Sequence, residues 1–161
     1  MSQKAEQKFV SSKDFFTPKM QAIFTERINR LTPQSRREWG TMAPDQMLHH
    51  LNLACGSSTG YFTLPDESTF LTKTVFKWLL VDILPQMPKG LSMPVGFKIP
   101  LDKHFDFEHE KSLLLEIIGK ACNSKSTASW GPHVAFGHLN YNQWGRLLTM
   151  HIDYHLNQFG V

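Results

Sequence analysis

Two histidines near the C-terminal end have a type and a spacing that could do chemistry. They are His151 and His155 in the stretch HIDYHLNQFG. On an α-helix, residues i and i+4 lie about 40° apart and one turn up, so these two imidazoles project side by side. Gln158 points in nearly the same direction, whereas Asp153 and Asn157 point the opposite way, to solvent or a partner. We therefore expect both histidines to face the interior of a helical domain.

Two interpretations of this pair remain open. A buried imidazole needs a partner for each polar ring nitrogen, so two of them in an apolar core are costly unless something ties them together. A divalent metal does so, because neutral imidazole is a good ligand for zinc, nickel, copper and iron. The alternative is an ordinary amphipathic helix whose two histidines are satisfied by their neighbours, because an HxxxH spacing alone is a weak motif.

A third candidate ligand comes from the stretch APDQMLHHLNLACG. It contains His49 and His50, which point about 100° apart on a helix. The face of His50 is mostly apolar or small, which predicts that His50 points inward, whereas His49 lies on the helix flank. That face comprises Gln46, Met47, Leu53, Ala54 and Ser57. His50, His151 and His155 would supply three nitrogen ligands and leave a position open, the pattern of a catalytic rather than a closed structural metal site.

The other polar and aromatic residues favour structural roles. We expect His104 and His109 on loops or the surface, and His133 and His138 in structural positions or at a pocket mouth. The carboxylates expected to be cap, loop or surface residues are Glu67, Asp106, Glu108 and Glu110. The tryptophans expected to fill the core or anchor loops are Trp39, Trp78, Trp130 and Trp144. The sequence contains no GxSxG elbow, P-loop or Rossmann glycine pattern.

Helical periodicity dominates the elements that must position these residues, and we find no strand pattern. We expect an all-α domain. The predicted helices are 17–31, 43 to 56–60, 68–84, 107–122 and 141–158, with Thr17, Pro18 and Asn140 as N-terminal signals and Pro85 and Gly160 as stops. The proline-rich loop 85–104 and the irregular segment 130–138 are candidates for a pocket wall.

Composition predicts a single domain over residues 1–161, with 1–14 as a flexible N-terminal segment. Apolar residues make up 41% of the chain and charged residues 19%. That balance is enough to bury a core. Cys55 and Cys122 form no disulfide framework, and we expect both to be reduced and buried on helices. The net charge of +3 is scattered, which argues against nucleic-acid binding.

The hydropathy pattern argues against a membrane location. The first residues lack the apolar run of a signal peptide, and the longest apolar stretch is too short and interrupted to span a bilayer. We therefore expect a cytoplasmic protein without a membrane partner.

Three blocks of the sequence resemble the DinB/YfiT-like metalloenzyme superfamily, most closely a branch that ends in HxxxHLxQFG. They are WGTMAPDQMLHHL at 39–51, DFEHE at 106–110 and FGHLNYNQWGRLLTMHIDYHLNQFG at 136–160. The resemblance covers most of the chain from Trp39 onward. It implies a four-helix bundle, up-down-down-up, with a long crossover and short extra helices.

The resemblance also implies a metal, nickel, zinc or similar, held by one histidine of the second helix and two of the last. Position by position these are His50, His151 and His155. Tyr154 stands where relatives often carry a further histidine, which leaves the ligand pair intact. We expect Gln158 to support the site from outside the ligand set, because it shares the face of the pair.

The chemistry implied by the resemblance is metal-dependent. Characterised relatives include S-transferases that use low-molecular-weight thiols such as bacillithiol or mycothiol, a maleylpyruvate isomerase that uses mycothiol, and related hydrolases. We therefore expect an enzyme that activates a thiol or water and acts on a small-molecule substrate. The alternative is a non-catalytic small-molecule or metal-binding stress-response protein of the same fold. Relatives often dimerise, and an apolar helix face permits a homodimer here.

Overall fold

The computed structural model describes residues 15–161, so the expectation of a flexible segment at 1–14 lies outside the described residues. Within the described part, every regular element is a helix, which confirms the all-α class. No β-strand occurs between residues 15 and 161, and an isolated bridge pairs His133 with Gly137. The four α-helices are α1 (Pro18–Asn29), α2 (Pro44–Ser58), α3 (Phe107–Cys122) and α4 (Tyr141–Asn157).

Local capping explains where these helices begin. The Thr17 hydroxyl accepts from the backbone N–H of Met20, and Pro18 occupies the first turn. Asp106 accepts from the N–H of His109 at the start of α3. Asn140 and Gln143 form a reciprocal capping box at the start of α4. Because such caps are local, the sequence predicted these starts closely.

The helices bury one apolar face each in a shared core. α3 packs most extensively against α2 and also contacts α1, and α4 contacts both α1 and α2. The fully buried side chains of this core include Met20, Phe24, Ile28, Met47, Leu48, Leu51, Leu114, Ile117, Ile118 and Trp144. Cys55 and Cys122 are buried and unpaired on α2 and α3, as expected, and burial raises the pKa of both thiols to about 12.

The helix expected at 68–84 is present but winds differently. Its hydrogen bonds are of the i→i+5 type in two stretches, Thr72–Phe76 and Trp78–Ile83. The hydroxyl of Thr74 bonds to the carbonyl oxygen of Phe70 at 2.7 Å. That oxygen is the acceptor that the Thr74 N–H would use in an α-helix. We call residues 70–83 the π-helical segment. Trp78 lies on it with 58% of its surface exposed, so the expectation that it fills the core or anchors a loop was wrong.

Glu110 also departs from its expected surface position. Glu110 is only 6% exposed, and its carboxylate accepts a hydrogen bond from the Asn52 side chain at 2.7 Å. Asn52 also donates to the Glu110 carbonyl oxygen, at 2.9 Å. On its other side the Glu110 carboxylate lies 3.0 Å from Nδ1 of His49. This buried polar contact joins α2 to α3, and hydrophobic periodicity alone does not reveal it.

The face of α4 that was expected to reach solvent or a partner instead binds α1. Arg27 donates to Asp153 at 2.6 Å and to Asn157 at 2.9 Å. The same guanidinium donates to the carbonyl oxygen of Val161. A charge-assisted network therefore holds the end of the chain against the first helix. No helix among the described residues has the length and apolarity needed to cross a membrane.

Candidate metal centre

α2 and α4 bring together the three histidines that the sequence singled out. One ring nitrogen from each of His50, His151 and His155 lies within 4.8 Å of the others, close enough for the three to hold one metal ion. Nε2 of His50 and Nε2 of His151 are 3.1 Å apart. His50 is 1% exposed and His155 4%, whereas His151 is only partly buried. The accessible side of the cluster is therefore at His151.

A backbone carbonyl determines the tautomer of His50. Its Nδ1 lies 2.8 Å from the carbonyl oxygen of Phe97. A carbonyl oxygen can only accept, so Nδ1 carries the proton and donates, and Nε2 keeps its lone pair. The 3.1 Å contact with His151 then requires the His151 Nε2–H to donate to Nε2 of His50.

Gln158 determines the tautomer of His155 in the same way. Its Oε1 lies 2.7 Å from Nδ1 of His155. This nitrogen therefore also donates, and Nε2 keeps its lone pair. Two of the three histidines thus have Nδ1–H held by an acceptor and Nε2 unprotonated. That is the arrangement in which outer groups orient the histidine ligands of metal sites.

The segment after α1 holds Gln158 in place. Gly40 has φ +87°, and a Cβ added there would lie 2.4 Å from Nε2 of Gln158. The backbone N–H of Glu38 donates to the Gln158 carbonyl oxygen at 2.7 Å. Trp39 packs edge-on against Tyr154, which in turn packs against His155. This support was not predicted from the sequence, although Trp39 and Gly40 stand at the start of the motif WGTMAPDQMLHHL.

Two side chains outside the loop fix the Phe97 carbonyl against His50. The carboxylate of Glu67 accepts from the N–H groups of Val95 and Gly96, each at 2.7 Å, and so holds the short 3₁₀ turn Val95–Phe97. Gln46 of α2 donates to the carbonyl oxygens of Leu101 and Lys103, both at 2.9 Å. Glu67 is the loop residue that the sequence predicted, but its support of His50 was not foreseen.

Burial keeps the three imidazoles neutral. It lowers the pKa of His50 to about 4 and that of His155 to about 3. Burial also lowers the pKa of His151 well below its ordinary value, and positive charge on His155, His50 or His133 would lower it further. Near neutral pH all three side chains therefore lack the second ring proton that would prevent metal binding.

The other histidines have no part in the cluster. His49 lies on the flank of α2 as expected, stacked on Phe105. His104 and His109 are exposed. His133 has the expected structural role, because its buried Nδ1 accepts from the backbone N–H groups of two following residues. His138 is exposed and is one of the residues that line a cavity of about 460 Å³.

The two cavities described do not include the three histidines. A cavity of about 470 Å³ lies between α1, the face of α4 that carries Thr149 and Asp153, and residues 85–89. The second, of about 460 Å³, is lined by Trp130 and Gly131 among others. The predicted wall segments 85–104 and 130–138 thus each line a cavity away from the cluster, and the Phe97 carbonyl is the part of loop 85–104 that reaches His50.

Comparison with known proteins gives a family and no individual relative. A family model described as "Protein of unknown function (DUF1569)" matches residues 13–160. No curated protein and no solved structure matches the chain significantly.

The lowered pKa values predict that acid destabilises the fold. An unfolded histidine has a pKa near 6.5, whereas burial holds the pKa of both His50 and His133 at about 4 in the native chain. Between these two pKa values the unfolded chain binds more protons than the native chain. The stabilisation that comes from keeping these histidines neutral is therefore complete above the pKa of the unfolded chain, and it is lost as pH falls towards the pKa of the native chain. We expect the melting temperature to fall steadily from pH 7 to pH 5, and His50→Gln to make the fall shallower.

The matched control for that measurement is His109→Gln, which removes an exposed histidine. It should keep the pH dependence of the wild-type protein. Thermal unfolding would be measured at each pH. If the melting temperature fell equally steeply with pH in the wild type, His50→Gln and His109→Gln, the assignment of a neutral, buried His50 would be contradicted.

Proposed function

The chain belongs to the DUF1569 family, and we propose that it is a protein that binds a divalent metal through His50, His151 and His155. The observation that carries the proposal is the convergence of three imidazole nitrogens within 4.8 Å, two of them on rings whose Nδ1–H is already held by an acceptor. Three protein ligands with a further position open are typical of catalytic metal sites.

The cluster fits a metal better than it fits a purely structural set of hydrogen bonds. Without a metal, Nε2 of His50 contacts Nε2 of His151. The hydrogen bond found for His155 is made by its Nδ1, with Gln158. A cation would be held by the Nε2 lone pairs of His50 and His155, which the fold has already oriented. Binding of the cation by His151 would require this ring to move its proton from Nε2 to Nδ1 or to release it.

The resemblance to the DinB/YfiT-like superfamily supports the same ligand set. In that superfamily one histidine of the second helix and two of the last hold nickel, zinc or a similar metal. We propose that the four α-helices here form the corresponding bundle, up-down-down-up, with the connection between α2 and α3 as the long crossover. Gln158 and the Phe97 carbonyl would be the groups that orient the ligands.

We further propose that the protein is a metal-dependent enzyme acting on a small molecule, most closely a thiol-dependent S-transferase or a hydrolase. When bound, a divalent metal lowers the pKa of a coordinated thiol or water and so supplies a nucleophile near neutral pH. The Phe97 carbonyl and Gln158 hold the rings of His50 and His155 in one tautomer, and burial keeps all three rings neutral. Substrate would approach beside His151, the least buried of the three.

Metal titration of the protein purified without a histidine tag tests the site. We expect one nickel or zinc ion per chain and a raised melting temperature when the metal is in excess. His50→Ala, His151→Ala and His155→Ala should each lower the affinity by about 100-fold or more, because each removes one of three ligands. His49→Gln, which changes the adjacent histidine on the helix flank, should bind metal as the wild type does. A wild-type protein that binds no nickel, zinc, manganese or iron would refute the site.

Gln158 provides a test of the support around the site. Gln158→Leu removes the acceptor for Nδ1–H of His155, and we expect a loss of about 10- to 100-fold in metal affinity. Gln158→Glu keeps an acceptor at the same place and should retain the affinity. Calorimetric titration of both variants measures this, and equal affinities for the leucine and glutamate variants would show that the hydrogen bond does not matter to binding.

Thiol consumption distinguishes the enzyme from a non-catalytic binding protein of the same fold. Bacillithiol, mycothiol and glutathione would each be incubated with electrophilic acceptors, with and without the bound metal. We expect the metal-loaded wild type to consume one of these thiols and His151→Ala to lose the activity. Metal binding without any thiol consumption or hydrolysis would favour the non-catalytic alternative.

A further inference from the structure

The cavity of about 470 Å³ beside α4 has the size of a ligand site. Small-molecule sites in proteins usually enclose about 300–1,000 Å³. Residues of α1 and α4 and the segments 38–39 and 85–89 line it. Thr149 and Asp153 belong to its wall, and on a helix these positions face away from the two histidines of α4. The cavity is therefore separate from the metal centre.

The buried part of the lining is largely apolar. The almost fully buried lining residues are Phe24, Thr149 and Met150, with exposures of 1%, 4% and 6%. Trp39 and Tyr154, which pack edge-on against each other, add partly buried aromatic walls. Aromatic rings and thioether sulfurs make favourable contacts with a further aromatic ring. These side chains therefore favour an aromatic occupant.

The charged side chains of the lining do not favour a charged occupant. Arg27 donates to Asp153 at 2.6 Å, so these two charges offset each other. Arg146 donates to a backbone carbonyl oxygen. Glu38 and Lys89 carry opposite charges, and both are exposed. Because the three buried lining residues carry no charge, a charged group that left water for that part of the cavity would pay an uncompensated desolvation cost.

A hydroxyl group in the buried lining lacks a partner. The Thr149 oxygen is buried and has no hydrogen-bond partner among residues 15–161. A threonine on a helix often bonds to the carbonyl oxygen four residues earlier, and an unpaired buried hydroxyl destabilises a fold. Threonine adopts two χ1 rotamers in helices, so a rotation turns this shielded oxygen towards a molecule in the cavity. A ligand that pairs with it would remove the cost.

We propose that this cavity binds a small, uncharged aromatic molecule that carries a hydroxyl group, a phenol, with its ring against the apolar lining and its hydroxyl paired with Thr149. A phenol hydroxyl both donates and accepts, as the threonine hydroxyl does, so the two can pair in either sense. The proposal does not depend on the proposed metal function.

NMR titration with p-cresol and p-xylene tests the proposal, because these probes have nearly the same shape and differ by a hydroxyl in place of a methyl group. The protein would carry ¹³C-labelled methionine methyl groups. We expect p-cresol to shift the signals of Met87 and Met150, which line the cavity. The signal of Met93, which packs against the buried group that contains Phe97, should not move.

Thr149→Val tests the role of the hydroxyl, because valine keeps the branched shape and a similar helix propensity. We expect the affinity for p-cresol to fall about tenfold, the loss of one hydrogen bond to a buried hydroxyl. The affinity for p-xylene should not fall. The matched control is Thr59→Val, at the end of α2 and outside the cavity, where the hydroxyl donates to the Cys55 carbonyl oxygen. It should leave both affinities unchanged.

Four outcomes would overturn the proposal. They are no shift at Met87 and Met150, a shift at Met93 alone, an equal loss of affinity for both probes in Thr149→Val, and tighter binding of 4-hydroxybenzoate or tyramine than of p-cresol. The last result would show that the cavity selects a charged ligand. None of these measurements involves a metal, so their failure would leave the metal site untouched.

Discussion

Three imidazoles share one largely buried space between α2 and α4, and each must satisfy two ring nitrogens there. Burial removes the water molecules that would hydrogen-bond to a polar nitrogen, and a second proton on any ring would add a charge that the interior disfavours. The fold meets this constraint by engaging Nδ1 of His50 and His155 with one acceptor each. One nitrogen of each ring lies within 4.8 Å of the others. Nε2 of His50 and Nε2 of His155 therefore keep lone pairs that a cation could use once His151 has moved its Nε2 proton.

Distant parts of the chain are needed to meet that constraint. The Phe97 carbonyl reaches His50 because Glu67 holds the turn before it, and Gln158 reaches His155 because Gly40 leaves room beside it. Irregular segments therefore position the acceptors, while the two helices position the rings. α4 takes part in two sets of contacts: His151 and His155 lie in its C-terminal half, and Gln143 and Arg146 in its N-terminal half bind Asp82 and Leu84 at the end of the π-helical segment.

Local sequence signals were sufficient for much of this architecture. Caps such as Thr17 and Asn140 set helix starts, and helical phase distinguished inward His50 from His49 on the flank, as the structure has them. The unforeseen features are long-range. The burial of Glu110 depends on Asn52, 58 residues away, and the Phe97 carbonyl lies 47 residues from His50. Nor did periodicity reveal the π-helical winding, which accompanies a threonine hydroxyl competing for a backbone carbonyl.

The most direct test of the central claim is a crystal structure of the metal-loaded protein, with diffraction data collected on both sides of the absorption edge of the added metal. The account predicts one anomalous peak per chain, bounded by the imidazoles of His50, His151 and His155. Anomalous density elsewhere on the surface, or a cluster that stays hydrogen-bonded through His50 and His151 in the presence of excess metal, would contradict it.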